Sequence, residues 1–189
     1  MNKILCLLLM AFGMVAVTFA QSGKDMNKKE SNQKILVAYF SATGTTARAA
    51  QKVANVTGGQ LYAITPAQSY SSADLDWHND KSRSSVEMDN PKARPALGGE
   101  KLDISGYDVI FIGHPIWWDL APRIINTFIE SQDWKDKVVI TFATSGSSSI
   151  SNSAAQLKRT YPNMNWKGAK LLNGADEKAI QSWVNKLGY

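Results

Sequence analysis

The sequence predicts an α/β domain built on a five-stranded, doubly wound parallel sheet. Two observations carry this prediction. The segments Ile35 to Phe40, Asp108 to Gly113 and Val138 to Ala143 are apolar along nearly their whole length, as strands buried on both faces of a parallel sheet are. Helical patterns alternate with them, and a β-α-β-α succession places helices on both faces with right-handed crossovers.

The elements follow in order. The first strand, Ile35 to Phe40, breaks into Ser41, Ala42, Thr43, Gly44, Thr45 and Thr46. A helix then carries Ala47, Ala50, Val53 and Ala54 on one face, with Arg48, Gln51 and Lys52 outward, and ends at Gly58-Gly59 as a left-handed cap would. Leu61 to Ile64 forms a short second strand, closed by Pro66. Residues 67–106 are rich in Ser, Asp and Lys, with a weak helical stretch near Ser72–Met88. They are too long for an ordinary connection and predict an excursion over one face, anchored by Tyr70 and Trp77. The third strand leads through His114-Pro-Ile-Trp-Trp-Asp-Leu-Ala121 to a helix opened by Pro122, with Ile124, Ile125, Phe128 and Ile129 inward. The fourth strand leads through Thr144-Ser-Gly-Ser-Ser-Ser149 to a helix from about Asn152 to Thr160, stopped by Pro162. Ala169 to Leu172 is a short fifth strand. Asp176 to Leu187 is a final amphipathic helix with acids in its first turn, Lys186 in its last and Gly188 beyond. The domain spans residues 34–189, with no internal repeat and no second domain.

The N-terminus has a different character. Met1-Asn2-Lys3 is a basic start, Ile4 to Val17 an apolar core, and Thr18-Phe19-Ala20 supplies the small residues of a cleavage site: a secretory signal peptide over residues 1–20. The expected location is therefore outside the cytoplasm, in a periplasm. The alternative is an uncleaved membrane anchor, for which this apolar stretch is short against the roughly 20 residues of a span. The only cysteine, Cys6, leaves with the signal, which excludes disulfides and thiolate chemistry from the mature chain. Residues 21–33, charged and without apolar periodicity, read as a disordered linker. The formal charge of +5 drops to +4 once Lys3 is removed; these cations are scattered and give no nucleic-acid footprint. The two histidines, far apart and without cysteines, give no metal site. Ser145 and His114 leave neighbouring strands, but the nucleophile elbow of a hydrolase is missing.

In such sheets, ligands bind beyond the carboxyl ends of the strands, where the strand order reverses. Three loops there carry chemistry. At 41–46, small hydroxyl residues and a Gly open a helix, whose free N–H groups and dipole suit an anion. The P-loop ending and the three glycines of a dinucleotide fingerprint are both absent, and Thr45 or Thr46 could simply cap the helix. No Lys or Arg lies in the loop, so a phosphate would be held by dipoles alone. The 114–121 loop offers two adjacent tryptophans, which call for something flat to cover them. The 144–149 loop offers N–H groups and hydroxyls for the polar edge of a heterocycle. Together they describe a mononucleotide with a large planar ring.

Here the chain resembles the flavodoxin-like family, on YFSATGTT at 39–46, HPIWWDLAP at 114–122 and FATSGSSS at 142–149. The resemblance covers about Lys34 to Gly188. It implies strand order 2-1-3-4-5 and bound flavin mononucleotide (FMN), with FMN in a sheet of this order being the general example of such a site. It implies a phosphate held by Ser41, Thr43, Gly44, Thr45 and Thr46. Pro115, Ile116, Trp117 and Trp118 would wall the isoalloxazine, and Thr144, Ser145, Gly146 and Ser147 would line its pyrimidine edge. The implied function is redox, as an electron carrier or a small quinone-type oxidoreductase with an unknown donor and a protein or membrane-quinone acceptor. The alternative is a binding module without turnover, or a scaffold that has lost the cofactor. Two departures stand out. Asp119 follows the tryptophans where similar proteins often carry an uncharged residue; a carboxylate facing the ring would lower its potential. Gly146 is followed by three serines where relatives have more Gly, and a Ser held at positive φ would be strained.

Overall fold

The computed structural model describes residues 33–189. The expected signal peptide, and the expected linker apart from Gln33, lie outside the described residues. Five parallel strands, β1 (Ile35–Tyr39), β2 (Gln60–Ala63), β3 (Val109–Pro115), β4 (Val138–Thr144) and β5 (Asn165–Leu171), form one sheet in the order β2-β1-β3-β4-β5. The helices are α1 (Thr45–Thr57), α2 (Arg83–Asp89), α3 (Arg123–Glu130), α4 (Ser151–Thr160) and α5 (Glu177–Leu187).

The sheet is wound on both faces, because its central strands are apolar in both directions. Val37, Phe111, Ile140 and Phe142 pack against Ala50 and Val53 of α1 and Ile180 and Trp183 of α5. Leu36, Ala38, Ile110 and Ile112 face the other way, against Ile124, Ile125 and Phe128 of α3 and Leu157 of α4. The two helices of this second layer are held unequally. Ile124, Ile125, Phe128 and Ile129 of α3 are all buried; at about 1.5–3 kcal/mol each, their burial contributes roughly 6–12 kcal/mol before entropy. Leu157 is the one large apolar side chain that α4 buries fully, which leaves α4 the more loosely held of the two.

Helix ends follow their sequence signals. Gly58 and Gly188 close α1 and α5 at φ 67 and 90, and the Asp176 side chain accepts the Ala179 N–H at the start of α5. Other boundaries differ from expectation. Pro122 is the N-cap of α3 and not its first helical residue. The expected helix at 72–88 is a series of turns followed by the short α2. β5 starts at Asn165, four residues before the apolar stretch that marks it, because an edge strand alternates exposed and covered residues.

Residues 67–106 do form an excursion on the α3 side, and its base is zipped shut. Ala67 N–H donates to Ala96 O and Gly98 N–H to Thr65 O, both at 2.8 Å. Tyr70 anchors it, its ring 5.7 Å from Phe40 and 5.3 Å from Trp117, while its hydroxyl donates to Glu87 and the Arg83 guanidinium lies 4.0 Å over its face. Trp77 does not anchor it: it is 66% exposed and stacks on neighbouring His78.

Candidate functional site

Because β1 connects outward to β2 and then the chain returns to β3 on the other side, the loops after β1 and β3 diverge and open a crevice at the carboxyl edge of the sheet. A cleft of about 800 Å³ lies there. The first loop lines it with Thr43, Thr45 and Thr46, the second with Pro115, Ile116, Trp117, Trp118 and Asp119, and the third with Thr144, Ser145, Gly146 and Ser147. Ser41 and Gly44 do not line it.

Those two residues shape the first loop. The Ser41 hydroxyl accepts the Gly44 N–H at 3.1 Å, and Gly44 takes φ 85, a conformation that costs glycine little. Gly44 is then the N-cap of α1 and offers no side chain to it. Thr45 and Thr46 are the first helical residues, so neither caps the helix. The first helical bond runs from Arg48 N–H to Gly44 O at 3.1 Å. The N–H groups ahead of it are left for an external acceptor, where the dipole adds partial positive charge. The loop is also not free of cations. Arg48 folds back one turn and donates to Thr45 Oγ1 at 3.2 Å, which sets a guanidinium beside the anion loop. Its place three residues after Thr45 was the signal that could have found it. The buried hydroxyls of Thr46 and Thr144, 2.8 Å apart, tie the first loop to the third.

The two tryptophans have different roles. Trp117 is partly buried, edge-on to Phe40 at 5.6 Å and to Tyr70, and supports the loop from beneath. Trp118 is 47% exposed at the cleft. Paired hydrogen bonds of 2.9 Å between Trp117 and Leu120 close a two-residue turn in which Trp118 and Asp119 have φ 46 and 64. Positive φ at both central positions is the pattern of a type I′ turn, normally filled by Asn or Gly. Left-handed backbone at a residue with a Cβ costs roughly 1–2 kcal/mol. Strain of this kind collects at functional sites, and here it presents a bare indole to the cleft. A glycine at position 119 would carry no such cost.

The serine-rich loop corrects the sequence expectation. None of Ser147, Ser148 and Ser149 has positive φ, so the loop carries no such strain. Ser145 holds it: its Oγ accepts the Ser147 and Ser148 N–H groups at 3.3 and 2.9 Å. Those amides are therefore spent inside the loop, leaving the Gly146 N–H and the serine hydroxyls for a ligand. Asn173 clamps Ser145 from both sides, accepting its N–H at 2.9 Å and donating to its carbonyl at 2.6 Å. Nothing local in the sequence marks this pairing. The excursion adds Leu75, Trp77 and Ser84 to the cleft wall.

His114 is fully buried and does not reach the cleft. Its Nδ1–H donates to Pro115 O at 3.0 Å and its Nε2 accepts from Ser153 Oγ at 3.4 Å, a tautomer set by the carbonyl. Burial pushes its pKa down to about 4, the bond to Pro115 opposing the shift only in part. The unfolded chain takes up this proton near pH 6.5. Stability from neutral His114, up to about 3 kcal/mol, is thus complete above that pH and lost as the pH falls toward 4. His114→Gln should flatten the fall in Tm between pH 7 and pH 4.5. Parallel wild-type and variant curves would show that His114 does not carry it.

The flavodoxin family model matches residues 34–187. A protein from Bacteroides eggerthii, provisionally assigned as a flavoprotein, is 64% identical, with 84% of this chain and 99% of that one covered at a TM-score of 0.81. A second, from Bacteroides uniformis and assigned in the same way, is 58% identical over 81% and 98% of the two chains, at a TM-score of 0.79. A Lactobacillus acidophilus flavoprotein solved in complex with FMN shares the fold at 21% identity, a TM-score of 0.66 and coverage of 83% and 99%. No curated protein matches. In sequence and in fold, this chain belongs to the flavodoxin family.

Proposed function

We propose that this chain is an exported redox protein that binds FMN in the cleft and passes electrons to an aromatic acceptor. The observation that carries the reading is the uncapped α1 N-terminus opening onto a cleft walled by Trp118. An anion there satisfies amides that the fold leaves open, and a flat ring covers an indole that the fold holds exposed at a cost. The FMN complex of the Lactobacillus relative supports the same ligand.

FMN, when bound, supplies the electron transfer; the residues bind it and tune it. Thr43, Thr45, Thr46 and the first-turn amides would hold the phosphate, with Arg48 adding charge and Ser41 and Gly44 fixing the loop. Pro115, Ile116 and Trp118 would face the ring, with Trp117 as their support. Thr144, Gly146 and Ser147 would meet its polar edge. The exposed Asp119 carboxylate at the cleft would disfavour added negative charge on a ring bound there. Asp119→Asn should raise the midpoint potential on the order of 20–40 mV, the scale of an exposed charge a few ångströms away. An unchanged potential would mean that Asp119 does not tune it.

Trp77 and Leu75 bring apolar surface from the excursion to the same cleft, as an acceptor pocket requires. An exported protein has no access to the cytoplasmic nicotinamide pool, so its partners are proteins or membrane quinones. The test is to reduce the FMN-loaded protein and follow reoxidation by a soluble naphthoquinone. Trp77→Ala should leave FMN affinity within about twofold and slow reoxidation about tenfold, the loss of one aromatic contact of ~1.4 kcal/mol. Unchanged reoxidation would remove the excursion from the acceptor site, and no reoxidation of the wild type would leave a binding module.

A further inference from the structure

A second, smaller cavity lies behind the tryptophan turn and has no place in the reading above. It measures about 200 Å³ and sits between the start of α3, one face of α4 and the segment after α2. Arg123 lines it, only 7% exposed, and makes no ion pair among the described residues. Nε donates to Glu87 O at 3.3 Å and Nη2 to Met88 O at 2.7 Å, while Nη1 makes no hydrogen bond among the described residues. The charge that bears on it most is another cation, Arg94, which is itself paired with Glu130 through two bonds of 2.7 and 2.8 Å. Two nitrogens of Arg123 are thus satisfied by carbonyls of the last turn of α2, while Nη1 keeps access to solvent with no acid beside it, so an anion from solution can replace the water there.

The other walls limit which anion. Leu120, Ala121 and Leu157 are apolar, whereas the side-chain amides of Asn126 and Gln156 can donate hydrogen bonds. One uncompensated cation matches one negative charge. A phosphate dianion would leave its second charge buried against hydrocarbon. We propose that this cavity binds a small monocarboxylate, its carboxylate on Arg123 and its short hydrocarbon end against Leu120 and Leu157. Occupancy would brace the turn that carries Trp118, since Leu120 belongs to that turn, and it would tie α4 to α3 where α4 is least anchored. The proposal does not depend on FMN.

The test is thermal denaturation of the purified protein in sodium propionate, sodium phosphate and sodium chloride at equal ionic strength. Propionate should raise Tm along a saturating curve, by about 3 °C or more at ten times its midpoint concentration, and the other two should not. Gln156→Glu places a carboxylate at the cavity without touching the bonds that Arg123 makes to α2; it should fold, keep Tm at or above wild type and lose the propionate response. Arg123→Met should lose the response too, at a lower starting Tm. No response in the wild type, a response to phosphate equal to that of propionate, or a full response retained in Gln156→Glu would each overturn the proposal.

Discussion

Replacing Thr45 by Asp should lower FMN affinity about 100-fold while Tm stays level or rises. Thr45 is the first residue of α1, whose first turn has no acid and whose N-cap has no side chain. A carboxylate there satisfies the helix end, worth about 0.3–1 kcal/mol. It also captures Arg48, which already reaches position 45. Both changes work against a bound phosphate: the new charge repels it, and the guanidinium beside the loop is neutralised. A loss of about 2.7 kcal/mol in binding corresponds to the 100-fold change. The opposite signs on stability and affinity are what identify an anion site. If Thr45→Asp lowered Tm and left FMN affinity unchanged, the open helix end would be a structural feature only. Isothermal titration with FMN and a thermal melt of the same samples give both quantities.

Gly113→Ala should be the most damaging single methyl group that the sheet can receive. Gly113 pairs with Phe142 across β3 and β4, and the phenyl ring lies over it. An added Cβ would stand 2.2 Å from one ring carbon and 2.5 Å from the next. Phe142 is fully buried with Phe111, Ile140 and Ile180 around it, so the ring has nowhere to move. Overpacking of this kind costs about 3 kcal/mol, which lowers Tm by roughly 6–12 °C in a domain of this size. In a Phe142→Leu background the same change should cost less than about 1 kcal/mol, because the atoms it meets are gone. Equal costs in the two backgrounds would show that the ring is not the obstacle.

These two positions illustrate what the sequence discloses. The buried strands were legible because a segment apolar on both faces has no other good place in a soluble fold, and Gly58, Asp176 and Gly188 marked helix ends by local chemistry alone. The order of the strands came with the resemblance. The first half of β5 was hidden because an edge strand needs no apolar run: Asn165 and Lys167 lie on its open side. The site was legible as three loops but not in its wiring. That Ser145 consumes two loop amides, that Asn173 clamps Ser145 from 28 residues away, and that Arg48 returns to Thr45 all depend on where the backbone comes to rest. The positive φ of Trp118 is likewise set by a turn that the two flanking residues close, against the preference of tryptophan itself. The excursion was legible as an excursion, yet its two aromatics look alike in sequence; only the packing of Tyr70 against Phe40 and Trp117 separates the anchor from the exposed Trp77.

The central claim is that the cleft between Thr45, Trp118 and Ser147 holds FMN, and the most direct measurement is a titration of the purified protein with FMN, read by flavin fluorescence and visible absorption. Quenched fluorescence with a shifted, structured absorption band, lost in Thr45→Asp and weakened in Trp118→Ala, is the expected result. Fluorescence that stays unquenched with protein at tens of micromolar, roughly −6 kcal/mol on the affinity scale, would contradict it and leave a flavodoxin scaffold without its cofactor.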